Sequence, residues 1–174
     1  PLYHSYTELY GLSHEQAEKA IAAYRADYAV EGYRQNQLYE GVFPMLKSLR
    51  DADFFIAVAT SKPEEPTAAV LRHFGIELFF DFVAAASMDQ SRSSKDKVIE
   101  YALQHMPGVP REQIVMVGDR QYDLLGARAH GLDGIGVLYG YGSREELESC
   151  PHVFLAGSPR ELTDFLLGKN HRKE

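Results

Sequence analysis

From residue 53 onward, continuous apolar runs alternate with stretches whose apolar positions recur at helical spacing. The runs Phe54 to Ala59 (FFIAVA), Phe82 to Ala86, Ile114 to Val117 and Ile135 to Tyr139 predict strands. Between them lie helical segments: a Pro- and Glu-rich start that closes near Phe74-Gly75, a helix opened by Ser94 with Val98, Ile99, Ala102 and Leu103, and Leu124 to His130 ended by Gly131. Ser143 with Glu146, and Ser158-Pro159 with Glu161, predict two more helix N-termini, the second carrying Leu162, Phe165 and Leu166. Strands that are apolar throughout and separated by helices belong to a parallel sheet covered on both faces.

The first third has a different pattern. Ser13 and Gln16 form a capping box ahead of Ala17, Ala20, Ile21, Tyr24 and Tyr28 at helical spacing, and a shorter helix precedes it, ending at Gly11. Residues 31–40 are polar with a glycine and predict a linker, after which Val42, Met45, Leu46 and Leu49 share one helical face. The expected fold is α/β, a doubly wound, Rossmann-like parallel core with a small helical cap on its N-terminal side.

Composition narrows the function classes. A chain of 174 residues with 45% apolar and 25% charged residues fits one globular domain with an appendage. A formal net charge of -7 and scattered Lys and Arg argue against nucleic acid or an anionic membrane surface as partner. The Lys169 to Lys173 tail is the exception, and is expected to be a solvated terminus. The single cysteine, Cys150, cannot form an internal disulfide, and neither a spanning apolar run nor a signal-peptide pattern occurs. The expected location is the cytoplasm.

In open parallel sheets, ligands bind outside the carboxyl ends of the strands. The first predicted strand ends in Thr60-Ser61-Lys62 and the third in Gly118-Asp119, so both polar clusters are expected on one edge. Asp119 also suits a helix N-cap, and Asp123 suits a helix first turn. As a pair beside a glycine they suit a hard-oxygen Mg²⁺ site. Thr60 and Ser61 offer hydroxyls beside a helix start to an anion, and Lys95 offers a fixed positive charge to a phosphate oxygen. The glycines of Gly134 to Gly140 lie inside a strand with the wrong spacing for a dinucleotide loop, and no Walker or G-x-S-x-G motif occurs. The seven histidines (His4, His14, His73, His105, His130, His152 and His171) form no metal-binding pair, and the aromatic residues are expected in core and helix contacts.

The order of these clusters resembles the haloacid dehalogenase (HAD) superfamily, in its phosphoglycolate-phosphatase-like branch. The resemblance rests on AVATSKPEE, SRSSKDKVIEYAL, IVMVGDRQYDLLGARAHG and GIGVLYGYGSREEL, and covers essentially the whole chain. It implies that Thr60 and Ser61 hold the transferring phosphoryl group, that Lys95 neutralises it and orients the nucleophile, and that Asp119, supported by Asp123, binds Mg²⁺. The implied activity is hydrolysis of a small phosphorylated metabolite through an aspartyl-phosphate intermediate. A HAD-type phosphomutase and a catalytically inactive HAD-like binding or regulatory protein share these motifs. A receiver-type phospho-acceptor domain is disfavoured, because there the acidic pair comes first in the chain.

The family's nucleophile belongs to an Asp-x-Asp motif ending the first strand, and no such motif follows a strand here. Asp51-Ala-Asp53 has the spacing but precedes a strand. The resemblance therefore implies residues 1–38 as part of a helical cap, and 39–174 as an α/β core whose first strand, with the nucleophile, lies upstream. In the family that strand is central, between those ending in Thr60 and Asp119.

Overall fold

The computed structural model describes residues 2–30, 32–89, 91–106 and 108–168. Glu31 of the expected linker, and the Lys169 to Lys173 tail with His171, lie outside the described residues. A short helix α1 (Leu2–His4) passes into a π-helical turn (Ser5–Leu9), and Gly11, at φ 65°, closes this segment. Helix α2 (His14–Val30) starts as its capping box predicts: the Gln16 N–H donates to Ser13 Oγ at 3.3 Å and the Ser13 N–H to Gln16 Oε1 at 2.9 Å. A 3-10 turn (Gly32–Gln35) leads to α3 (Val42–Asp51), whose Leu46 packs with Leu71 and Ile76.

The α/β part follows as β1 (Ala57–Pro63), α4 (Glu64–His73), β2 (Phe82–Ala86), α5 (Lys95–Gln104), β3 (Val115–Gly118), α6 (Gln121–Ala129), β4 (Asp133–Val137), α7 (Arg144–Glu148), β5 (Phe154–Ala156) and α8 (Pro159–Leu166). Every strand pair is parallel, as continuous apolar runs predict. Among the described residues, no helix is long and apolar enough to cross a membrane.

Two boundaries differ from expectation. β1 begins at Ala57, because the Phe54 N–H bonds back to the Leu49 carbonyl at 3.0 Å and Ile56 is held by Asp81, its N–H at 2.8 Å from Oδ2. The strand continues through Thr60-Ser61-Lys62, which lie within it instead of beyond it, and its register against β2 breaks between Thr60 and Pro63. β5 was not expected; at three residues, it is too short for a periodicity to declare it.

The five strands form two ladders, β1-β2 and β3-β4-β5. Among the described residues no ladder joins β1 to β3, so each has one unpaired edge. Burial follows this division. Every residue of β1 and β3 is half-buried, whereas Ala84 to Ala86 of β2 and Gly134 to Val137 of β4 are buried. In a continuous doubly covered sheet the inner strands bury most. Here the order is inverted, and α5 packs on β1, β2 and α6, joining the two halves.

Candidate active site

The carboxyl ends of β1 and β3 carry the residues singled out by sequence. Thr60 is the last residue in regular register with β2, opposite Ala85. Its Oγ1 accepts the Lys62 N–H at 3.1 Å, a local turn that fixes the hydroxyl and leaves its proton for another acceptor. Ser61 follows it, half-buried. Asp51 and Asp53 lie before the amino end of β1, away from this edge.

At the end of β3, Asp119 does not cap α6. Arg120 takes the N-cap position, and Asp123 accepts the Arg120 N–H with Oδ2 at 3.1 Å. Asp119 is left to reach the loop after β4, where its Oδ2 accepts the Tyr141 N–H at 2.8 Å. That approach requires glycine: a Cβ on Gly140 would fall 2.2 Å from Asp119 Cβ, and one on Gly142 2.0 Å from the Asp119 carbonyl oxygen. Gly118 is constrained in the same way, since a Cβ there would meet Asp123 Cβ at 2.1 Å.

Lys95, at the start of α5, joins the two ladders. Its Nζ donates to the Ala59 carbonyl of β1 at 2.7 Å and pairs with Asp123 Oδ1 at 2.8 Å. Both side chains are well shielded, 17% and 8% exposed, so the pair is little screened by solvent. Asp123 therefore spends its two oxygens on Lys95 and on the α6 N-terminus. Its carboxylate braces the site instead of standing open beside Asp119.

Sequence reasoning missed Glu146. Beyond its place in the Ser143 cap, its Oε1 accepts from Arg120 Nε and from the Gln121 N–H, both at 2.8 Å. The Gln121 N–H and the Arg120 guanidinium hold the Glu146 carboxyl below its usual pKa, and Glu146 raises that of Arg120. The turn after Asp119 is thereby tied to α7. Tyr139 is pushed up to about 12 by burial, then by the Asp119 charge and Tyr39. The glycine pair around Tyr141 was the one sequence signal for this wall.

Among the described residues no three His, Cys, Asp or Glu side chains gather as a complete metal cluster. Asp119 nevertheless fits Mg²⁺: it is a hard carboxylate on the crevice edge, held by one N–H, and Mg²⁺ is commonly bound through one or two carboxylates with waters retained. Two surface hollows of about 350 and 300 Å³ lie elsewhere, one lined by Arg34, Ala69, Arg72 and His73, the other along α5 with Ser91, Arg92 and Tyr101. Neither is lined by Thr60, Lys95 or Asp119, so they do not displace the strand edge as the candidate site.

Residues 3–137 match the family model for haloacid dehalogenase-like hydrolases. The chain belongs to that family. Within it, this HAD-like hydrolase falls with the phosphoglycolate-phosphatase-like branch, as its motifs imply. It is 48% identical over 134 residues to the tyrosine-protein kinase PtkA of Mycobacterium tuberculosis, covering 77% of this chain and 46% of that one. It is 34% identical over 149 residues to a 5'-nucleotidase of Pseudomonas aeruginosa, covering 86% and 67%. The crystal structure of a predicted phosphatase from Clostridium acetobutylicum superposes with a TM-score of 0.91 at 37% identity, covering 97% of this chain and 77% of that one. The chain thus spans about half the length of PtkA, at 46%.

Proposed function

We propose that this chain forms most of a Mg²⁺-dependent phosphatase acting on a small, phosphoglycolate-like phosphate monoester through an aspartyl-phosphate intermediate. The nucleophilic aspartate belongs to a strand outside residues 1–174, seated between β1 and β3. One observation supports this reading: Lys95 reaches from α5 to the Ala59 carbonyl beside Thr60 and to Asp123, four residues after Asp119, and among the described residues β1 and β3 each have one edge with no partner.

In the reaction, an aspartate oxygen attacks phosphorus, forming a P–O bond as the ester P–O bond breaks. A second aspartate, two residues on, gives its proton to the leaving oxygen and then takes one from the water that hydrolyses the acyl phosphate. Thr60 directs its hydroxyl proton at a phosphoryl oxygen, with Ser61 beside it. Lys95 has three N–H donors; Ala59 and Asp123 take two, and the third is available to the phosphoryl group. Asp119 holds Mg²⁺, which when bound neutralises charge on the transferring oxygens. Asp123 acts by positioning Lys95 and the Asp119 turn.

The test is phosphate release from p-nitrophenyl phosphate by the protein at its natural length. Steady Mg²⁺-dependent turnover that EDTA abolishes supports the reading, and an Asp119→Asn variant with unchanged turnover overturns the metal assignment. Likeness to PtkA favours a second reading, phosphoryl transfer to a protein tyrosine. In that case label from a phosphate donor accumulates on an acceptor tyrosine instead of appearing as inorganic phosphate. Label that stays on the protein as a stable adduct, or no reaction at all, favours an inactive regulatory protein. Interconversion of sugar phosphates without release identifies a mutase.

A further inference from the structure

The loop between β2 and α5 leads directly to Lys95, and one guanidinium ties it to three elements. The loop's own turn is built on Asp89, whose Oδ1 accepts from the Ser87 hydroxyl at 2.6 Å, the Ser91 hydroxyl at 2.7 Å and the Ser91 N–H at 3.0 Å. Ser87 closes the turn on Arg92: its N–H donates to the Arg92 carbonyl at 3.1 Å, and its hydroxyl accepts the Arg92 N–H at 2.9 Å. The Arg92 side chain is well shielded, at 17% exposure. Its Nε donates to the Ala85 carbonyl of β2 at 2.8 Å, its Nη2 pairs with Glu64 Oε1 in the first turn of α4, and its guanidinium carbon lies 3.8 Å from the ring centroid of Tyr101 in α5.

Each partner bears on the candidate site. Ala85 stands opposite Thr60 in the β1-β2 ladder, at the point where the register breaks. Glu64 opens the helix that follows Thr60-Ser61-Lys62-Pro63. Tyr101 belongs to the helix that Lys95 begins, and Lys95 Nζ reaches the Ala59 carbonyl at 2.7 Å. Since β2 pairs with one edge of β1 and the proposed strand takes the other, these contacts lie on the side of β1 away from that strand. The arrangement suits arginine, whose planar fork donates from Nε and Nη2 to two acceptors while its face rests on a ring; an ammonium is a single point charge. Tethering a loop needs one such contact, whereas three contacts on three elements fix its position and its angle.

We propose that Arg92 is a positioning residue: it fixes the start of α5 on the carboxyl ends of β1 and β2, and so sets Lys95 Nζ beside Thr60 for the phosphoryl group. This rests on the phosphatase reading above for the task of Lys95, and on the contacts of Arg92 for the clamp. In this role Arg92 touches neither substrate nor metal and acts on turnover only through Lys95. A loop anchor that served stability alone would leave turnover by the folded protein unchanged.

The experiment measures kcat and KM for p-nitrophenyl phosphate in the natural-length protein, for the wild type, Arg92→Lys, Lys95→Met and the double variant, with urea midpoints to show that each is folded in the assay. Arg92→Lys keeps the charge but cannot span both acceptors, so kcat is expected to fall about tenfold while KM changes by no more than about twofold. In the Lys95→Met background the same substitution is expected to change kcat by less than about twofold, because the group it positions is gone. Unchanged kcat in Arg92→Lys, or an equal fold loss in both backgrounds, overturns the inference and leaves the phosphatase reading intact. Should Arg92→Lys not fold, Glu64→Ala, which removes one arm of the clamp at a more exposed side chain, takes its place with the same outcomes. If the wild type hydrolyses no ester, the phosphatase reading fails. In that case, or if Lys95→Met is too slow to measure, the crystal structure of the clamp variant decides: Lys95 Nζ displaced beyond hydrogen-bond reach of the Ala59 carbonyl supports the clamp, and the bond kept at 2.7 Å overturns it.

Discussion

Ala84 to Ala86 of β2 and Gly134 to Val137 of β4 are buried, while β1 and β3, which lead to the candidate site, are half-buried along their whole length. Among the described residues β1 and β3 each have one edge with no partner, and the strand proposed between them would cover both. A parallel strand with one unpaired edge leaves backbone donors and acceptors to water and forgoes side-chain neighbours on that side. Among the described residues the two ladders are joined by the packing of α5 and by polar links, Lys95 among them.

Removing that link is the most severe way to test the contrast. Lys95→Met leaves the Asp123 carboxylate shielded and without its cation, at a cost of about 3 kcal/mol by analogy with broken buried pairs. Urea denaturation measures it, and a loss below about 1 kcal/mol would mean that Lys95 does not brace the two ladders. Next in size, Asp119→Asn in the natural-length protein is expected to lower kcat about a hundredfold with little change in denaturation midpoint, because its role is electrostatic. A matched pair of substitutions then compares the strands directly. In the natural-length protein Val137→Ala, at 7% exposure in β4, is expected to cost about 2 kcal/mol, and Val117→Ala in β3 about the same, because the proposed strand would bury Val117. A Val117→Ala cost of about half that of Val137→Ala would mean that no strand covers β3.

The smallest effect concerns pH. Tyr139 has its pKa raised from 10.0 to about 12, so its protonated form is favoured in the folded state. Its contribution to stability is complete below pH 10 and disappears as pH rises towards 12. Ultraviolet titration should show a tyrosine ionising late, and Asp119→Asn should lower that midpoint by removing one of the charges that raises it.

Much of the fold was legible because its signals are local. The Ser13–Gln16 box, the Ser94 and Ser158 caps and the Phe82 to Ala86 strand all appear where spacing predicts them. Displaced boundaries have tertiary causes: Asp81, from the turn before β2, holds Ile56 and delays β1. At the site, Thr60, Ser61, Lys95, Asp119 and Asp123 were legible as residue types at strand and helix ends. Their partners were not. Asp119 turns to the Tyr141 N–H instead of capping its own helix, Asp123 is divided between Lys95 and Arg120, and Glu146 reaches from α7 to the turn after β3.

Periodicity, caps and the order of the polar clusters, all consequences of bonding within a few residues, are sufficient to specify a parallel α/β chain of the HAD-like hydrolase family. Tertiary structure alone divides the strands into two ladders, sets Lys95 across them and ties Tyr28 of α2 to Lys62 of β1. Those outcomes depend on contacts between residues 18 to 36 positions apart, whose competition for partners no local pattern records.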